Sequence, residues 1–300
     1  MSLPLVHTID LKFQGIPGAI GAFLIPLASG GVLVVCGPGS TLQALIEGLE
    51  ECNLSPHDIT DVFLTHIHLD HAGSAGWWSR QGARIHVHHI GAPHLIQPER
   101  LLASAARIYG DMMTPLWGEF LPVSENKINY LNDGDEIQLD HLTIRALDTP
   151  GHANHHMSFM LDGFCFSGDV GGVHLQGINA VRLPTVPPEF NPDKWCQSIN
   201  KFERENISAF ITTHYGVHSD ARSHLGEIKK SLENLVSWME LHISSINSRE
   251  AFRELYSNWI KNNLSDVNLT QEEIMAFELA ISSQMSADGI FHYLTKKQSL

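Results

Sequence analysis

Three hundred residues at 43% hydrophobic content make an ordinary globular chain, long enough for one large domain or two smaller ones. The formal charge is 19 − 33 = −14, and the longest basic stretches are the pairs Lys229-Lys230 and Lys296-Lys297. A nucleic-acid binder needs a basic footprint to collect phosphates, so nucleic acid is set aside as a partner and a small molecule is expected instead.

In chain order, M-S-L-P-L-V-H-T-I-D has no basic leader and no long apolar core. The apolar stretch Ala19 to Val35 is broken by Pro26 and Gly30-Gly31. It predicts two strands, Gly21–Leu27 and Val32–Cys36, rather than a membrane span. Ser40 with Gln43 reads as a capping box opening a helix through Leu49. Asp61–Thr65 is a strand running into the cluster T-H-I-H-L-D-H, and Ala83–His88 is another. Pro98 to Val123 is helical in texture and carries Tyr109, Met112, Met113, Trp117 and Phe120. It serves either as a packed excursion or as an apolar lid. Asp133-Gly134-Asp135 is a turn between Ile128–Leu131 and Glu136–Leu139. Further strands are expected at Leu142–Leu147, Met157–Leu161, Phe164–Ser167 and Ala209–Thr213.

From Ser219 the texture becomes helical. Leu225, Ile228, Leu232, Leu235, Met239 and Ile243 recur at spacings of three and four. Two more helices are expected at Arg249–Asn262 and Thr270–Met285, and a short last one at Gly289–Lys297. Such a stripe predicts packing against the preceding part or a partner subunit; a homodimer and a monomer with a folded-back tail both satisfy it. Cys36, Cys52, Cys165 and Cys196 follow no C-x-x-C spacing, which predicts free thiols and a cytoplasmic location.

Histidine is the anomaly, with 19 in the chain. His66, His68, Asp70 and His71 share one seven-residue stretch, and P-G-H, S-G-D and T-T-H add His152, Asp169 and His214. Imidazole nitrogen and carboxylate oxygen suit zinc first, with iron or manganese as alternatives. His66, His68 and His152 can hold one divalent ion; Asp70, His71 and His214 can hold a second, with Asp169 bridging. The remaining histidines, among them His155, read as surface or hydrogen-bonded core residues.

These motifs, T-H-I-H-L-D-H (65–71), T-P-G-H (149–152), F-S-G-D (166–169) and T-H-Y-G (213–216), resemble those of the metallo-β-lactamase-fold superfamily. The resemblance covers about residues 5 to 220. It implies an α+β fold, the four-layer αββα sandwich, with a dinuclear metal site carrying the ligand roles above. G-P-G-S-T (37–41), R-I-Y-G-D-M-M-T-P-L-W-G (107–118), F-E-L-A (277–280) and M-S-A-D-G-I-F-H-Y (285–293) are similar to a prokaryotic branch with a helical C-terminal extension. That branch is similar in layout to glyoxalase II and quorum-signal lactonases. The expected division is a catalytic part, residues 1–220, and a helical part, residues 221–300. Asp169 stands where many β-lactamases of the fold carry cysteine, which argues against antibiotic hydrolysis. His68 replaces the glutamate of flavo-diiron oxygen reductases. Val35-Cys36-Gly37 replaces a frequent D-T-G or E-T-G, removing a carboxylate that could orient a ligand.

The expected reaction is hydrolysis of a small ester-like substrate, a thioester or lactone, by attack of a metal-bridging hydroxide. Asp70 is the expected proton carrier, and Tyr215 either donates to the developing oxyanion or packs. His156 and Arg182 are candidates for substrate contacts. The alternatives are a persulfide-type dioxygenase with one iron and a signalling or scaffold protein that keeps its metal.

Overall fold

The computed structural model describes residues 5–175, 180–243, 248–263 and 269–298. Among the described residues, short runs of β-branched and aromatic residues form twelve strands, divided between two sheets. The first holds β1 (His7–Asp10), β2 (Gly21–Pro26), β3 (Gly31–Val34), β4 (Ile59–Phe63), β5 (Arg84–His88) and β6 (Ile128–Leu131), side by side in chain order. β1 to β3 are antiparallel neighbours, and β3 to β6 run parallel. The second holds β7 (Glu136–Leu139), β8 (Leu142–Asp148), β9 (Met157–Leu161), β10 (Phe164–Phe166), β11 (Ala209–Thr212) and β12 (Gly216–His218), again in chain order. Its pairs are antiparallel except β10 with β11.

The sheets face each other across one core. Phe23 meets Phe166 with ring centroids 5.9 Å apart, and Phe63 meets Phe159 edge-on at 5.2 Å. Every residue of β3 and of β9 is buried, because helices cover the opposite faces. The first part of the chain supplies α1 (Leu42–Glu51), α2 (Leu69–Ala72), α3 (Ala75–Gln81), α4 (Ala92–Ile96), α5 (Glu99–Tyr109) and α6 (Met113–Trp117). The second supplies α7 (Pro192–Phe202), α8 (Ala221–His242), α9 (Arg249–Asn263), α10 (Gln271–Ala280) and α11 (Ser283–Gln298). α1 packs on β1 and α3 on β5. On the far side, Cys165 and Phe210 of the second sheet share a core with Trp195, Ile228, Tyr256 and Ile290. The layers are therefore helix, sheet, sheet, helix. Large side chains buried to this extent contribute about 1.5–3 kcal/mol each.

The stripe on α8 faces this core, so the tail packs back on the second sheet. Two guanidinium forks, from Arg249 and Arg253, clamp Asp288 and tie α9 to α11. Among the described residues no helix is long and apolar enough to cross a membrane. The cysteines are free, and burial pushes the Cys36 thiol up to about 12.

Several boundaries differ from the sequence reading. Ser40 does not cap α1; it lies in a 3-10 turn, and its hydroxyl donates to the Leu116 carbonyl at 2.5 Å. β3 stops at Val34 because Val35 turns left-handed at φ 56°. The helix expected over Thr270–Met285 is broken at Ile281, which is extended and seals a small core with Phe277 and Tyr215. The last helix starts at Ser283, six residues before the expected Gly289. The Asp133-Gly134-Asp135 turn joins the two expected strands, which belong to different sheets. The first four residues of the N-terminal stretch lie outside the described residues.

Candidate metal centre

All seven predicted ligands come together at one edge of the sandwich. β4 delivers the loop carrying His66 and His68 into α2, whose single turn carries Asp70 and His71. The loop after β8 brings His152, the 3-10 turn after β10 brings Asp169, and the end of β11 brings His214. Rigid strands thus hold ligands that emerge from loops.

Asp169 organises the centre. Its Oδ2 lies 3.3 Å from His152 Nε2 and 3.9 Å from His66 Nε2. Its Oδ1 lies 3.1 Å from His71 Nε2 and 3.6 Å from His214 Nε2. Asp70 Oδ2 completes the second side, 3.4 Å from His71 Nε2 and 3.3 Å from His214 Nε2. His68 completes the first, with Nδ1 2.8 Å from His152 Nε2. The ligand atoms of His66, His68 and His152 lie within 4.8 Å of one another, as do those of Asp70, His71 and His214.

The outward ring nitrogens fix the tautomers. His152 Nδ1 donates to the Pro184 carbonyl at 2.6 Å, and His214 Nδ1 to the Ala19 carbonyl at 2.7 Å. Their Nε2 lone pairs are left facing the centre. Thr65 Oγ1 stands between His66 Nδ1 at 3.2 Å and His71 Nδ1 at 3.4 Å. His66 Nε2, His71 Nε2, His214 Nε2 and Asp169 Oδ1 are buried without a hydrogen-bond partner among the described residues. Buried polar atoms without partners are costly, and four converging on one point fit a cation. The residues present therefore suit divalent metal binding.

The electrostatics agree. Burial, with His71 next, pushes the His66 imidazole well down, and burial with His152 holds His68 at about 3. Burial also pulls on His71, but the Asp70 and Asp169 carboxylates outweigh it and raise it to about 10. Burial works against ionisation of both carboxylates as well. His71 and His214 nonetheless hold Asp70 well below the carboxylate range, and His71 and His152 do the same for Asp169. The two carboxylates thus draw positive charge to the second side of the centre.

His156 takes a different place from the one expected. It does not line the cavity over the ligands; its Nε2 accepts the backbone N–H groups of Asp169 at 3.1 Å and Val170 at 3.4 Å. Nδ1 then donates to Thr149 Oγ1 at 3.0 Å, so the ring is a neutral post for the Asp169 turn. Burial, with His152 next, depresses its pKa far below the usual value. Gly168 passes so close that a Cβ there would lie 2.7 Å from His156 Nε2, and its φ of 49° suits glycine. Arg182 is also displaced: it is buried, reaches Glu278 and Ser283, and lies over the Phe277 ring at 5.5 Å. Tyr215 packs with Val173, Phe277 and Ile281 and does not line the cavity. Near Gly37, where that carboxylate is missing, Cys36 N–H donates to the His71 backbone carbonyl at 2.9 Å.

Other contacts had no signal in the sequence. His155 joins the cavity wall with its Nε2 3.4 Å from Glu189 Oε2, while Glu189 also receives Asn154 N–H and side-chain donors. A second histidine trio, His174, His218 and His224, also brings ligand atoms within 4.8 Å. The His218 ring lies parallel to the other two at 4.3 and 4.4 Å, so its in-plane lone pairs run alongside theirs instead of converging.

A cavity of about 440 Å³ opens onto His68, Asp70, His152 and Asp169. Leu101, Ala105, Ile108, Tyr109, Leu116 and Trp117 of the predicted lid region form one wall. Met112 is exposed instead.

Comparison with known proteins supports the same reading. The family model "Metallo-beta-lactamase superfamily" matches residues 17–214. The metallo-beta-lactamase fold-containing protein ST1585 of Sulfurisphaera tokodaii is 28% identical over 57% of this chain and 66% of its own. Its crystal structure superposes with a TM-score of 0.64 at 18% identity, covering 97% of this chain and 99% of that one, C-terminal helices included. A hydroxyacylglutathione hydrolase of Aeromonas hydrophila is 27% identical over 45% of this chain and 41% of its own. An atrochrysone carboxyl ACP thioesterase of Aspergillus fumigatus is 25% identical over 56% and 31%. The chain thus spans less than two thirds of the length of these curated relatives. With the family model matched from β2 to β11 and over every ligand-bearing loop, the chain belongs to the metallo-beta-lactamase superfamily.

Proposed function

We propose that this chain is a hydrolase dependent on two divalent metal ions, and that it cleaves a thioester, with a lactone as the second substrate class. The observation that carries the reading is the Asp169 carboxylate, which turns one oxygen to each of two separate sets of ligand atoms. His66, His68 and His152 would hold one ion, Asp70, His71 and His214 the other, with Asp169 between them. When bound, such ions acidify a water and polarise the substrate carbonyl. Zinc fits the nitrogen and oxygen donors first, and iron or manganese also accept them.

Asp70 is the residue that would move the proton. It lines the cavity with its side chain partly exposed, while Asp169 is almost enclosed. In thioester cleavage the oxygen of water forms the new bond to the carbonyl carbon, and the carbon–sulfur bond breaks. The water proton passes through Asp70 to the leaving sulfur. The names of two relatives, a thioesterase and a hydroxyacylglutathione hydrolase, support this substrate class. A one-iron dioxygenase leaves Asp70, His71 and His214 without a task. Residues 1–220 as the catalytic part, residues 221–300 as its helical extension and a cytoplasmic setting belong to the same reading.

Metal analysis together with Asp70→Asn tests it. The expected result is two metal equivalents per chain and thioester hydrolysis. In Asp70→Asn, kcat should fall by about 100-fold or more, the scale of a lost proton carrier. One equivalent of iron, with no cleavage of thioesters or lactones, would overturn it.

A further inference from the structure

The cavity in front of the ligands is built for an apolar guest. Its walls come from three separate parts of the chain: Leu101, Ile108 and Leu116 from the α5–α6 region, Pro187 from the segment before α7, and Leu279 and Met285 from the α10–α11 corner. Tyr109 hydroxyl and Met285 sulfur, 3.7 Å apart, join the first and third walls. Ile108 is half-exposed, so apolar surface is open to a ligand there. Beyond the ligands, charged groups are few: Arg100 is exposed, Glu278 is half-exposed, and Glu189 is already occupied by Asn154.

Resting on the reaction proposed above, we infer that this cavity holds the acyl chain of the substrate, and that the α10–α11 corner, Glu278 to Met285, sets the chain length. A thioester has two ends, and only one suits these walls. A thiol carrier bearing amides would lose its hydrogen bonds against leucine, isoleucine and methionine, which is unfavourable. A hydrocarbon chain loses nothing there and gains by leaving water. The volume of 440 Å³ lies in the range of small-molecule sites. At roughly 30 Å³ for each non-hydrogen group, it leaves room for about fifteen of them. The acyl chain therefore runs from the ligands toward Leu279 and Met285, and the carrier points outward.

The corner exists because α10 ends at Ala280 and Ile281 turns extended. Arg182 fixes it through Glu278 and Ser283, with the Thr185 hydroxyl donating to the Ser286 carbonyl at 3.0 Å. The helical tail is thus part of the substrate site.

The test has two arms. In the first, hydrolysis of N-acetylcysteamine thioesters from acetyl to decanoyl is measured, and kcat/KM should rise about fourfold per methylene until the cavity is full. In the second, binding of acetate, butyrate, octanoate and decanoate is measured by calorimetry, and affinity should follow the same trend. Leu279→Trp should lower the octanoyl-to-acetyl ratio of kcat/KM by about tenfold or more, and Met285→Ala should move the optimum to longer chains. Unchanged metal content and melting temperature show that each variant is folded. Thioester cleavage with a flat dependence on chain length, untouched by both variants, would overturn the pocket and leave the reaction standing. Chain-length-dependent carboxylate binding with no thioester cleaved would overturn the reaction and leave the pocket standing.

Discussion

His156→Ala tests whether the Asp169 turn is held by an imidazole post. In the native protein, His156 Nε2 accepts from the backbone N–H groups of Asp169 and Val170, 3.1 and 3.4 Å away, in a fully buried setting. Alanine removes that acceptor and opens a void behind the turn. A buried donor left without a partner costs about 1–3 kcal/mol, so two weak-to-moderate bonds put the loss near 2–4 kcal/mol. Released from its post, Asp169 can no longer hold its two oxygens toward separate ligand sets. Loss of such an orienting contact typically weakens metal binding by about 10- to 100-fold. The assay is competition with a chromophoric chelator, run beside thermal unfolding of the chelated protein. Glutamine is the control: its amide oxygen occupies roughly the place of Nε2, so His156→Gln should recover most of both losses. Metal affinity of His156→Ala within about threefold of the native value, well short of that expected loss, would refute the reasoning.

Three further outcomes follow from the packing and charge. Gly289→Ala would put a Cβ 1.9 Å from the Thr185 carbonyl oxygen and 2.7 Å from the Val186 carbonyl carbon, both backbone. Unfolding by denaturant should register an overpacking cost of about 1–3 kcal/mol, and an unchanged midpoint would show that α11 can slide. Chelation should lower the melting temperature: an ion present at about 1,000 times its Kd contributes about 4 kcal/mol to the folded state. A chelator-treated sample that melts with the untreated one would remove the metal from the stability argument. Acid should destabilise the fold before the carboxylates titrate. Burial, with His174 next, holds His218 at about 4, and burial, with His218 next, holds His224 at about 3. Both pKa values lie below the unfolded value, so as pH falls through about 6.5 the unfolded chain takes up protons first and stability drops. From pH 7 to about 5.5 the two together cost about 1–2 kcal/mol, discounted for the partial exposure of His218. A denaturation midpoint flat over that range, measured on chelated protein, would contradict the assignment.

Much of the site was legible from residue types alone. Imidazoles and carboxylates are the groups that bind a borderline metal, and His66, His68, Asp70 and His71 sit within one strand-to-helix passage. The helical tail was legible because a stripe at spacings of three and four must be buried somewhere. Its last break was not. Periodicity continues through Ile281, whereas in the structure that residue is extended and packs with Phe277 and Tyr215.

The sequence by itself determined seven candidate ligands and the order in which the chain presents them, because ligand chemistry belongs to the side chain. Only the tertiary structure decided how they are aimed. His152 is oriented by a carbonyl 32 residues away and His214 by one 195 residues away, and a backbone carbonyl is the same at every residue, so no sequence signal marks it. The structure likewise made His156 a post, Arg182 a clamp and Tyr215 a packing residue, since burial and distance assign those roles and residue type does not.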